Sequence, residues 1–102
     1  MNREEFIKSE IKNEPDNPLN YYLLAVEYRH LNNNQELENV MEFMLDRFEN
    51  YLPIYYFYAE HLFQMNEIEK AIKISEKGIS LAQLFNNYKL VNELKQQILL
   101  NY

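Results

Sequence analysis

Apolar side chains recur at helical spacing along almost the entire chain, and the interruptions between these stretches are short and polar. Strands would demand period-two alternation instead. The sequence contains one glycine, Gly78, and three prolines, Pro15, Pro18 and Pro53, so tight hairpins and glycine-rich phosphate loops have almost nowhere to form. The expectation is an all-α chain of five or six helices.

Stop and start signals place them. Asn2 and Glu5 have capping-box spacing for a first helix from about Arg3 to Asn13, with Phe6, Ile7 and Ile11 on one face. Pro15 stops it. Asp16 or Asn17 caps a second helix, in which Pro18 occupies the first turn, running to about Leu31. After a turn at Asn32, Asn33 and Asn34, a third helix spans roughly Gln35 to Glu49 and buries Leu37, Val40, Met41, Met44, Leu45 and Phe48. Pro53 opens a fourth, ending near Met65 and Asn66. A fifth runs from Glu67 to about Phe85 with Ile68, Ala71, Ile72, Ile74, Ile79 and Leu81 on its apolar face. Asn86 and Asn87 end it, and a last helix from Tyr88 to about Leu100 presents Val91, Leu94 and Ile98. Connections this short force sequential helices to run antiparallel.

A 34-residue shift superposes Tyr21 on Tyr55, Tyr22 on Tyr56, Ala25 on Ala59, Asn32 on Asn66 and Glu42 on Glu76. Both copies read large, two residues, large, small, two residues, large, as Tyr21, Leu24, Ala25, Tyr28 and as Tyr55, Tyr58, Ala59, Leu62. This resembles the first-helix signature of the tetratricopeptide repeat, whose period is also 34. The second helices carry Leu37, Met41 and Met44 in one copy and Ala71, Ser75 and Gly78 in the other, with Glu49 and Gln83 where the family has proline. The resemblance implies a short right-handed superhelix of stacked hairpins. Residues 1–14 would form a half-repeat, 17–50 and 51–85 two repeats, and 87–102 a capping helix, all within one domain spanning 1–102. A different helical array or a plain bundle is the alternative.

The same resemblance implies a concave binding face on the first helices of the repeats. Leu19, Tyr22, Val26, Arg29 and His30 occupy those positions in the first copy, and Pro53, Tyr56, Glu60, Phe63 and Gln64 in the second. The Lys, Asn and Arg clamp with which some family members hold acidic tails is missing, since Tyr22, Val26 and Phe57 stand there. An unknown protein or peptide with an apolar or aromatic segment is the expected partner of such an adaptor. The alternative is a self-associating structural unit, a homodimer through the C-terminal helix, where Leu90, Leu99, Leu100 and Tyr102 fall outside the inner stripe.

The formal net charge of −6 disfavours nucleic acid and anionic membrane as partners. No cysteine is present, and acids occupy the first residues where a secretory signal would be apolar, so a cytoplasmic protein is the expectation. The residues give no sign of catalysis. Ser9, Ser75 and Ser80 lie inside helices away from any elbow-type turn, and Glu36, Glu38 and Glu42 suit a solvated helix face. Glu27 and His30 make one Glu-x-x-His pair, but Tyr58 precedes His61 at the same spacing, so no second pair completes a metal site. Both histidines are expected at exposed or partly exposed positions, and no metal or cofactor is expected.

Overall fold

The computed structural model describes residues 1–102 and contains six α-helices and no strand. They are α1 (Arg3–Asn13), α2 (Pro18–His30), α3 (Asn34–Arg47), α4 (Pro53–Gln64), α5 (Ile68–Leu84) and α6 (Tyr88–Asn101). The chain is all-α, and each end falls within about two residues of its expected place. The contacts divide it into two compact units, Met1–Tyr51 and Leu52–Tyr102.

With so little glycine, asparagine makes the sharp turns. Asn32, Asn66 and Asn86 adopt φ of 55°, 61° and 59°, the left-handed conformation that ends helices and that asparagine tolerates better than other non-glycine residues. Each sits in the same double hydrogen bond. The amides of Asn33 and Asn32 donate to the carbonyls of Tyr28 and Arg29 at 2.9 and 3.1 Å. Those of Glu67 and Asn66 donate to Leu62 and Phe63, and those of Asn87 and Asn86 to Ala82 and Gln83. This is the Schellman arrangement, which satisfies the last carbonyls of one helix. Asn33 and Asn87 then accept from the amides of Glu36 and Leu90, capping the next helix at once. Three hairpins, α2–α3, α4–α5 and α5–α6, therefore close through one kind of turn.

The ends of α1 and α3 differ from these and match each other. Glu14 and Phe48 cap them with φ near −134° and −128°, and their amides donate to Glu10 and Met44 at 2.9 and 2.7 Å. No such stop interrupts α5 at the corresponding step, Ala82, and the helix continues to Leu84.

In the first unit α1 and α3 both pack on α2. The buried side chains are Ile7, Leu24, Ala25, Tyr28, Leu37, Met41 and Met44. Of the three apolar residues expected on one face of α1, Ile7 is buried and Ile11 half-buried, whereas Phe6 is 57% exposed. Phe6 and Ile7 lie about 100° apart around the helix, so the narrow contact with α2 takes one and not the other. Polar contacts complete this pairing: Glu27 Oε1 lies 3.5 Å from Arg3 Nε, and the Tyr28 hydroxyl donates to Glu4 at 3.3 Å.

In the second unit α5 packs against both α4 and α6. The isoleucines do not form the deepest layer of α5. The buried residues are Ala71, Ser75, Gly78 and Ala82, while Ile68, Ile72, Ile74, Ile79 and Leu81 are half-buried. At 100° per residue the four small residues fall within about 60° of arc, with the branched residues on either side. Small side chains in the middle let neighbouring helices approach, and the branched ones seal the flanks. A Cβ on Gly78 would lie 2.6 Å from Tyr55 Cβ and 2.9 Å from Leu94 Cδ1, so α4, α5 and α6 converge at this point.

Burial repeats with the 34-residue period. Ala25 and Ala59 are fully buried, as are Leu37 and Ala71, and Met41 and Ser75. Tyr55 is fully buried beside Gly78, whereas Tyr21, whose copy has Met44 at the glycine position, is half-buried and packs its ring on Phe43 and Phe48.

Candidate functional site

Leu19, Tyr22, Val26 and Arg29 fall within about 100° of arc on α2, spaced by three and four residues. They stay partly open: Leu19 is 46% exposed, and Tyr22, Val26 and Arg29 are half-buried. The Tyr22 ring meets Tyr51 edge-on, with centroids 6.1 Å apart and planes at 62°. Burial, with Tyr22 adding to it, holds the Tyr51 hydroxyl above the ordinary tyrosine pKa. Two partly open tyrosines thus adjoin an aliphatic row ending in a guanidinium. Such a strip offers contact area at low entropic cost, because tyrosine has few rotamers to lose. His30 is exposed and has its Nδ1 3.8 Å from Glu27 Oε1, the oxygen that also faces Arg3. It therefore engages Glu27 at the α1 side of the helix.

In the second unit the corresponding positions fall on α4. Tyr56 and Glu60 are half-buried and Gln64 is exposed, but Phe63 is buried, with 7% of its surface accessible. Eight of the twelve residues of α4 are buried, Phe57 and His61 among them. An almost uniformly apolar helix is covered nearly all round, and Phe63 has little face to offer a partner. His61, expected at the surface, is 5% exposed and stacks on Tyr58 at 6.4 Å. Its neighbours at i−3 and i+1 are both buried, so the position belongs to the core-facing side. Phe43 on α3 is 40% exposed.

No sequence pattern announces the cleft of about 320 Å³ in the first unit, open to solvent. Ile11 of α1, Tyr21 and Leu24 of α2, and Val40 and Phe43 of α3 line it, with Lys8 at its edge. It exists because α1 and α3 both rest on α2 and leave a gap between them. Tyr21 forms its aromatic wall: the ring lies 5.0 Å from Phe43 and 5.5 Å from Phe48, and the hydroxyl donates to the Pro15 carbonyl at 2.9 Å. Arg47 stands over Phe48 and pairs with Asp16, pinning the end of α3 to the α1–α2 turn. Lys8 is held by Glu4 at 2.8 Å, an ion pair that lowers the Glu4 pKa and raises that of Lys8. Exposed Phe43 was the available clue, yet finding the cleft requires knowing how far apart two helices rest on a third.

No three His, Asp or Glu side chains converge in a way that could hold a metal ion, and no helix is long and apolar enough to cross a membrane. No protein-family model, curated protein or solved structure matches the chain.

Proposed function

We propose that this chain is a tetratricopeptide-like interaction adaptor that works without chemistry of its own, in a reducing compartment such as the cytoplasm. It binds a protein or peptide segment with apolar or aromatic side chains along the open face of α2. The observation that carries this reading is the row of Leu19, Tyr22, Val26 and Arg29, partly exposed on a helix whose other faces bury Leu24, Ala25, Glu27 and Tyr28. Aromatic and arginine side chains are the ones most often found to anchor protein interfaces, and here both sit beside aliphatic surface. The recurrence of burial at the 34-residue step supports the family likeness, since a repeat unit places the same contacts at the same register. Tyr56, Glu60 and Gln64 of α4 stand at the matching positions of the second copy.

The test is peptide-display selection on the immobilised protein, followed by calorimetric titration of the recovered sequences. Selected peptides should share an aromatic or aliphatic anchor, and Tyr22→Ala and Val26→Asp should each weaken binding about tenfold, or ~1.4 kcal/mol. Glu69→Gln, on the exposed face of α5, serves as the control. A selection that recovers no binder, or affinities indifferent to both α2 substitutions, would sink the adaptor reading.

A further inference from the structure

Two surfaces outside the α2 row carry unclaimed apolar area, and they differ in charge. One is the α1–α3 cleft of the first unit, whose wall Phe43 is 40% exposed. The half of the chain that holds it is acidic, and Lys8 at the cleft edge is paired with Glu4: positions 1–51 hold eleven Asp and Glu against five Lys and Arg. On α3 itself, Glu36 lies one turn before Val40 and Asp46 one turn after Phe43, and both are exposed.

The other surface is the outer face of α6. Val91, Leu94 and Gln97 turn inward, and Tyr88, Asn92, Lys95 and Leu99 fall within about 60° of arc on the side facing away. Tyr88 is 60% exposed and Leu99 79%, with Leu100 and Tyr102 exposed beyond them. This half of the chain lacks the acidic excess. Positions 52–102 hold five acids and five bases, and all five bases are lysines on α5 or α6.

We propose that a second copy of this chain seats the outer face of its α6 on the α1–α3 cleft, with Leu99 entering the gap between Ile11 and Val40. Charge selects this pairing over α6 against α6, which would set lysine-bearing faces against each other. Lys95, one turn before Leu99 on the same face, meets the acidic flank of α3. The cleft has room for a few side chains and not for a helix, which suits a leucine projecting from a helix laid across its mouth. The contact joins unlike patches, one from each half of the chain.

Light scattering over a concentration series tests this directly. The parent protein should gain average mass as concentration rises. Leu99→Glu and Phe43→Glu each change an exposed side chain, and each should move that rise to concentrations higher by about tenfold or more. Tyr88→Glu provides a second α6 variant, and circular dichroism checks that helicity is kept. The decisive sample is an equimolar mixture of Leu99→Glu, which retains a sound cleft, with Phe43→Glu, which retains a sound α6. Docking of α6 on the cleft restores association in the mixture and halts it at the dimer. A parent that stays monomeric at every concentration overturns the proposal. So does a mixture that associates no better than its components, the result expected of α6 pairing with α6.

Discussion

Gly78 and Tyr55 approach so closely that a methyl group on the glycine would stand 2.6 Å from the tyrosine Cβ. The nearest atom is the first of the tyrosine side chain, fixed to the backbone of α4, so it cannot swing aside. Leu94 closes the other side at 2.9 Å. Alanine in place of glycine normally favours a helix interior by roughly 1 kcal/mol. Here overpacking, which costs ~1–3 kcal/mol, acts against that gain. Gly78→Ala should therefore lower the urea midpoint despite its better helix propensity. A raised midpoint would show that the three helices do not meet as tightly as described.

The asparagine turns make a second prediction. Asn66 holds φ at 61°, where a side chain branched at Cβ is badly strained and glycine is at ease. Asn66→Val should destabilise by ~1–2 kcal/mol. Asn66→Gly should stay within about 0.5 kcal/mol of the parent, as for an ordinary surface change. Comparable losses for both variants would mean that the side-chain amide, and not the backbone angle, matters at this position.

Gln97 is buried on α6, and its Oε1 has no hydrogen-bond partner. A buried acceptor left unsatisfied costs ~1–3 kcal/mol, and methionine has nearly the same shape without that penalty. Gln97→Met should raise the thermal midpoint. The Asn101 side chain bonds to the Gln97 carbonyl of the backbone at 2.8 Å, a contact the substitution leaves in place.

Alkali should loosen the first unit. Burial raises the Tyr28 and Tyr51 hydroxyls above the ordinary tyrosine pKa of about 10, and Lys8, hydrogen-bonded to Glu4, is raised as well. Groups whose folded pKa is raised bind protons more tightly in the native state. Their contribution is complete below the unfolded pKa and disappears as pH climbs through the folded one. Stability should fall in that alkaline window. Tyr51→Phe should show a shallower fall in urea titrations across it, and an unchanged slope would remove Tyr51 from the explanation.

Helix ends were legible in the sequence because their signals are local: Asn2 and Asn17 cap, Pro18 and Pro53 open, and paired asparagines close. Burial was legible only where one helix face decides it, as at Ala25 and Val91. It was misread where several helices converge. Hydropathy ranks isoleucine above serine, so the α5 core was expected along its isoleucines, yet Ser75 is fully buried and donates to the Ala71 carbonyl at 2.8 Å. Phe63 and His61 went astray for a similar reason: α4 is covered on nearly every side, which its own periodicity does not reveal. The α2 row could be named in advance, whereas the cleft beside it depends on the spacing of α1 and α3 and has no sequence pattern.

The adaptor reading is tested most directly by nuclear magnetic resonance of the labelled protein while a selected peptide is titrated in, following every backbone amide. The account predicts that the largest shifts fall on α2 at Leu19, Tyr22, Val26 and Arg29, with the Tyr51 amide moving alongside Tyr22. Shifts confined to α5 and α6, or spread evenly without saturation, would contradict it.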